Sequence, residues 1–400
     1  MQTDLLIEPR KLSPANGYHF FGYYDIAAFS ADSRRHLCHS VPFWNRMPRP
    51  GDVAELGVYE VASGAYRKFA STQTWNFQQG AMLQWVPGLG ESAVFFNDLD
   101  ERGRYRGVVS DVDAGRRRLL DLPAASLDRS GRWALGVNFS RLHDYRPGYG
   151  YCHRPDPYRD DPHPDDDGVF LIDMESGASE PSLSLQAIWE LLEGSVDSKD
   201  GEKILVNHIT FNPSGSRYVL LARVMKPTPP WLTTGITANR DGGDPKILFL
   251  NTNASHYWWS SDEELVIWGR KNGHERQHLY RIHEPDGAFE TIDDGFFKAD
   301  GHCSVSPDGE WLLYDSYPDM ETTERWQSLY LYHLGKRRGS LLGRFGSMEW
   351  PDGNGDLRCD LHPRWAPDGG TISFDSTHEG RRALYVADLS EIMDTIRNVG

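Results

Sequence analysis

Four histidines stand in one register along this chain. His208, His256, His302 and His362 each lie four residues before the residue that opens a tight turn: Asn212, Ser260, Ser306 and Ala366. Side chains alternate along a strand, so a shared offset from the turn puts all four on one face at one height. Three earlier repeats carry Ile26, Met82 and Ala124 at that offset, so the histidines fill one contiguous arc. Two chemistries use such an arc. Imidazoles converging with a carboxylate hold a divalent ion such as zinc, manganese or calcium, and Asp360 shares a face with His362. The candidate ligands are therefore His256, His302, Asp360 and His362. Histidines of mixed protonation can instead bind an acidic group and exchange protons with it. The plainer alternative is that they pack a narrow channel and bond to backbone.

Other chemistry-bearing residues cluster at strand ends and loops. The second strand of each repeat ends in polar residues: Asn97, Asn138 with Arg141, Arg223, Arg270 with Lys271, Asp315 with Tyr317, and Asp375 with His378. Arg223 and Arg270 flank the histidine-bearing repeats and suit an acidic substrate, with Tyr317 beside them. The Pro-rich run from His39 to Pro50, carrying Trp44 and Arg46, is a solvated loop or a flap over a ligand. Trp75 to Met82 brings the amides Asn76, Gln78 and Gln79 to an inner strand, for sugar hydroxyls or for buried backbone. The dense aromatics from Tyr18 to Asp25 are blade packing or a sugar platform. Asn138 to Arg154 mixes Arg, His and Tyr, including His143 and Tyr149, more densely than a structural loop requires.

The elements that position these residues are hairpins. Ser306-Pro307-Asp308-Gly309 combines a residue with preset φ and Asp-Gly turn chemistry between two β-rich runs. The pattern recurs at Asn212–Gly215 and Ala366–Gly369, with weaker copies near Ser30, Val86, Asp128 and Ser260, seven in all. Further strands such as Leu56–Val61, Gly168–Asp173 and Ala383–Asp388 follow most copies. A four-stranded unit repeated about every 40 to 60 residues predicts an all-β fold, a seven-bladed β-propeller of four-stranded antiparallel blades. Residues 1–400 are expected to form a single domain, with a long insertion at about 139–200 between the third and fourth blades. Residues 1–18 are expected to supply a strand that completes the last blade, Tyr158–Asp167 to be exposed, and Leu185–Leu192 to form a short helix.

Composition bounds the function. The 39 Gly and 24 Pro fit many tight turns, and 12% aromatic residues fit face-to-face sheets. A net charge of −16 argues against nucleic acid, which needs a basic face. Neither a signal peptide nor an apolar run long enough to span a membrane is visible, and Cys38, Cys152, Cys303 and Cys359 show no paired spacing. A cytoplasmic monomer is expected.

Taken in order, Phe21–Asp25, Trp75–Gly80, Asn207–Gly215, Asp300–His302 and Arg358–Trp365 resemble the seven-bladed propeller polysaccharide lyases. Ulvan lyases are the nearer likeness and oligogalacturonate lyases the more distant one. The resemblance implies a uronate-containing oligo- or polysaccharide as partner, cleaved by β-elimination to a 4,5-unsaturated uronate. It implies that Arg223 neutralises the uronate carboxylate, that His143 and His208 act as base or acid, and that Tyr149 shares that work. Arg46, Gln79, Arg270 and Tyr317 would bind substrate. It also implies a metal at His302 and His362, with Asp360 standing where the oligogalacturonate lyases have a further histidine. A propeller glycoside hydrolase acting on a uronate-linked sugar and a non-enzymatic binding propeller are the alternatives.

Overall fold

The turn chemistry closes hairpins where it was expected. At Ser306–Gly309 the Gly309 N–H donates to Ser306 O at 2.9 Å, and Gly309 takes the left-handed φ of +76° that only glycine adopts without cost. Cys303–Val305 and Trp311–Asp315 pair antiparallel across it. The computed structural model describes residues 4–14, 16–193, 201–226, 231–250, 254–271 and 273–398. Among these, seven four-stranded antiparallel sheets form a ring, a seven-bladed propeller. Their inner strands are Tyr18–Phe20, Gln84–Trp85, Ser126–Leu127, Ile204–Phe211, Tyr257–Trp259, Cys303–Val305 and Arg364–Trp365.

The ring is closed by the start of the chain. Arg10–Lys11 adds the outer strand of the seventh blade, with Arg10 opposite Val386 and Lys11 opposite Tyr385. Side chains stitch neighbouring blades: His36 Nε2 lies 2.8 Å from Ser373 Oγ, and Ala81 N–H donates to His39 Nε2 at 3.0 Å. A full ring removes the exposed sheet edges that would otherwise invite aggregation. No helix among the described residues is long and apolar enough to cross a membrane.

The insertion differs from expectation in its place. Gly168–Asp173 pairs with Trp133–Gly136, Leu171 opposite Leu135, and is the third strand of the third blade. The excursion at residues 137–167 therefore leaves from inside that blade rather than from between the third and fourth. The short helix α1 (Phe139–Tyr145) begins it, and α2 (Leu185–Leu192), capped by Ser184 Oγ accepting from Ala187 N–H at 3.1 Å, follows the blade. Residues 194–200, the end of the expected insertion, lie outside the described residues.

Asn138 and Arg141, read as polar residues at a strand end, anchor this excursion from within. Asn138 Oδ1 accepts from the N–H groups of Ser140 and Arg141, capping α1, and its amide donates to Asp156 and Asp167. Arg141 donates to Ile204 O, Pro162 O and Asp156 Oδ2 at 2.8 to 3.0 Å, and the two charged side chains are 2% and 0% exposed. Asp167 is buried as well, and the run is exposed at Arg159, Asp160, Asp161, Asp165 and Asp166. Arg141→Ala leaves the Asp156 charge buried and unpaired, a loss of about 3–5 kcal/mol. Urea unfolding is expected to show that loss; an unchanged midpoint would mean that the pair does not hold the excursion.

Candidate functional site

The four histidines meet around one ring, that of Tyr23. Tyr23 stacks on His208 with centroids 4.6 Å apart and lies 4.8, 5.8 and 6.5 Å from the rings of His362, His302 and His256. Their common direction does not come from strand alternation alone. His256 and His302 immediately precede their inner strands, and His362 precedes its strand by two residues. His208 sits at a bulge where the pairing of Ile204–Phe211 shifts register. His208 and His362 both take positive φ, 54° and 43°, a conformation a non-glycine residue adopts at a cost and that concentrates at functional sites. Met82, at the equivalent offset in the second blade, does the same at 56°.

His302 and His362 face each other, their Nε2 atoms 3.1 Å apart. Each ring is committed at its other nitrogen. His302 Nδ1 lies 3.0 Å from both Asp315 oxygens, and His362 Nδ1 donates to Gly22 O at 2.8 Å. With both Nδ1 positions so held, two Nε2 lone pairs point at one another, which a shared proton or a cation between them relieves. Burial resists a charge on His302, but Asp315, with Asp360 and Asp300, outweighs it and raises its pKa. Burial, His302 and Arg364 drive that of His362 well down.

Asp360 completes a group whose ligand atoms lie within 4.8 Å of one another: His302, Asp360 and His362. Its carboxylate also takes a two-pronged bond from Arg358, at 2.5 and 2.7 Å, and against burial that guanidinium lowers its pKa. A metal would therefore share Asp360 with Arg358. His256, expected as a fourth ligand, stands outside the group: its Nδ1 bonds Asp300 at 3.0 Å and its Nε2 faces the Tyr317 hydroxyl at 3.3 Å. The donor set fits a divalent ion at two imidazoles and one carboxylate, a mixture that suits zinc or manganese better than calcium.

The other side of the arc is cationic. Arg223, at the end of its strand, donates to Thr233 Oγ1 at 3.2 Å and leaves Nε unpartnered. Arg146, in the loop after α1, donates to Asn207 Oδ1 at 2.6 Å and covers the Tyr149 ring at 4.0 Å. Tyr149 in turn meets His208 edge-on, with centroids 5.1 Å apart. Among the described residues no carboxylate pairs with Arg146 or Arg223. Burial and the charge of Arg146 push the pKa of Arg223 down to about 9. Burial together with Arg146 and Arg223 drives that of His208 well below its usual value, so this imidazole is neutral at pH 7. Gly150 makes the loop's approach feasible, because a Cβ there would lie 2.1 Å from His143 N.

Gln79 divides the two uses weighed for the amides. Its Nε2 reaches His208 Nδ1 at 3.3 Å, whereas Gln78 donates to Asp356 O and Arg358 O and so fixes the loop bearing Arg358 and Asp360. Three expected residues stay apart from the cluster. Arg46 is held by Asp52 at 2.5 and 2.9 Å and lies over the Phe43 ring. Arg270 is exposed, with no bond to the histidines. His143 lies in the last turn of α1 with Asp144, Asp356 and His153 as its titratable neighbours, and no bond joins it to His208.

Sequence reasoning missed Tyr23 as the hub, Arg146 as the second cation, and Asp315 as an internal bracket rather than a rim residue. Asp315 accepts from the backbone N–H of both His302 and His362, at 2.7 and 3.1 Å. The run of aromatics around Tyr23 and the density of Arg, His and Tyr from Asn138 to Arg154 were the available signals.

No family model matches this chain, and no curated protein matches it. Among solved structures it is similar to an oligogalacturonate lyase in complex with manganese, with 15% identity over 97% of both chains and a TM-score of 0.68. The oligogalacturonate lyase of Vibrio parahaemolyticus matches with 13% identity over 97% of this chain and 95% of that one, at the same TM-score. The β-propeller domain of the Trilobed protease from Pyrococcus furiosus matches at 10% identity over 93% and 96%, with a TM-score of 0.52. At such identities the likeness is one of fold, and that fold is the seven-bladed propeller found in these lyases.

Proposed function

We propose that this protein is a lyase that cleaves uronate-containing oligosaccharides by β-elimination. The observation that carries the reading is Arg146 and Arg223 without a carboxylate partner among the described residues, set beside a neutral, part-buried His208. Two neighbouring guanidiniums without a counter-charge take a carboxylate as their natural ligand, and each charged hydrogen bond contributes about 1.5–3 kcal/mol. Neutralising the C6 carboxylate acidifies the C5 proton. His208 takes that proton, the C5–H electron pair forms the C4=C5 double bond, and the C4–O4 bond breaks. Tyr149 gives its proton to O4 and recovers one from His208, so the net transfer is from C5 to O4 and no water is consumed. His143 receives no role in this scheme, and Tyr317 and Gln79 contact neighbouring sugar hydroxyls.

His302, His362 and Asp360 would hold a divalent ion, which when bound supplies positive charge for the same carboxylate. The fold neighbour that carries manganese supports this reading, as do the facing imidazoles. Hydrolysis is less well supported. Glycosidases rely on two free carboxyl groups, whereas Asp300, Asp315 and Asp360 are each committed to an imidazole or a guanidinium. Ulvan and galacturonan fragments are both substrates to test within the uronate class.

Incubation with saturated uronate oligosaccharides is expected to raise the ultraviolet absorbance of an unsaturated uronate. His208→Ala should lower the rate about 10²–10⁴-fold and Arg223→Ala about 10²–10³-fold, with both variants folded. New reducing ends without absorbance would overturn the reading. For the metal, protein loaded with manganese or zinc and gel-filtered is expected to retain one ion per chain by elemental analysis. His302→Ala and His362→Ala should each lose it; retention by either variant would contradict the ligand set.

A further inference from the structure

Behind His208 lies a small, largely enclosed cavity of about 10 Å³, room for a single water molecule. Its walls are mostly apolar, formed by residues such as Met82, Phe139 and Ile209, and its polar lining is Asp25, Gln79 and His208. Asp25 is the one carboxylate among these lining residues. Thr210, two residues beyond His208 on the same strand, donates its hydroxyl to Asp25 Oδ2 at 2.8 Å and so fixes the carboxylate beside the bulge that carries His208. Asp25, His208 and Thr210 are each part-buried.

We propose that Asp25, through one water in this cavity, is the counter-charge that lets His208 accept a proton. The inference rests on the reading of His208 as the base. When His208 takes the C5 proton it becomes an imidazolium facing Arg146, Arg223, His256 and His302, all of which oppose its charge. Tyr23 and Tyr149 are the other titratable groups against it, and burial raises the pKa of Tyr23 well above its usual value. An ionised Asp25, bridged by a water that also bonds Gln79, offsets that repulsion. No atom is gained or lost: the proton rests on His208 until Tyr149 recovers it, and the Asp25 carboxylate remains unprotonated. Asp25 is thus a positioning residue.

The groups facing Asp25 determine the pH at which it works. Burial raises its pKa to about 6, opposed by the bond from Thr210 and the nearby charge of His302. Tyr23, Tyr24, Tyr257 and Cys303 also face it, and all four are un-ionised in this range. Above that pH Asp25 is charged and supports His208; below it the support is lost. The turnover rate should therefore fall as the pH drops through about 6.

The test compares wild type with Asp25→Asn and Thr210→Val. Asp25→Asn is expected to lower kcat by 10-fold or more, leave KM within 2-fold, and abolish the acid limb near pH 6. Thr210→Val removes a bond to the charged carboxylate and should move that limb upward while preserving the plateau. The ¹⁵N spectrum of His208, identified by its loss in His208→Gln, provides a readout without turnover. Its nitrogen shifts should titrate near pH 6 in wild type and stop doing so in Asp25→Asn. An Asp25→Asn enzyme with wild-type rate and limb, or a His208 spectrum unaffected by the substitution, would overturn the proposal. A wild type without elimination but with the coupled spectrum would sink the lyase reading alone.

Discussion

The Asp315 carboxylate is the constraint on which the site depends. It is fully buried, and it accepts from the backbone N–H of His302, the imidazole of His302 and the backbone N–H of His362. Those two histidines belong to adjacent blades, so one charged group sets both the spacing of the blades and the 3.1 Å approach of the two rings. A buried carboxylate is costly unless every lone pair finds a donor, and here the donors are the site itself. Asp375 repeats the device on the other side of the closure. It takes the N–H groups of Phe21 and Gly22 and the guanidinium of Arg364, and thereby places Tyr23 at the centre of the ring.

The cluster divides into two halves of opposite character. Around His302 and His362 every carboxylate has a bonded partner: Asp315 with His302, Asp300 with His256, Asp360 with Arg358. Around His208 the cations have none, and His208 is neutral. Under the proposed function, a substrate carboxylate would complete the unbalanced half. That asymmetry accounts for the position of the excursion from the third blade. Arg141 and Asn138 tie α1 down, and the loop beyond it delivers Arg146 and Tyr149 over His208. A net-acidic protein thus presents a local cationic floor, and net charge alone is silent about it.

Much of this was legible in the sequence, for physical reasons. The Pro-Asp-Gly and Asn-Pro-Ser-Gly turns require particular backbone angles, so they mark hairpins wherever they occur, and the repeat gives the ring. The shared offset of four histidines was equally plain because every inner strand is fed by the same kind of turn. What the offset hid is the backbone: left-handed φ at His208 and His362 leaves no trace in residue type. The insertion was placed between blades because Gly168–Asp173 reads as a strand without revealing that it pairs back onto Trp133–Gly136 across the excursion. Arg46 and Arg270 looked like ligands by type alone. The partner of Arg46, Asp52, was six residues away, but only packing shows which of the two binding modes an arginine adopts.

The central claim is that bond cleavage consumes no water. Digestion of a saturated uronate oligosaccharide in H₂¹⁸O, with the products weighed by mass spectrometry, tests it most directly. Elimination predicts fragments whose masses sum to that of the substrate, with no ¹⁸O in either and a double bond in one. Fragments that together exceed the substrate by one labelled water would contradict the account and make the enzyme a hydrolase.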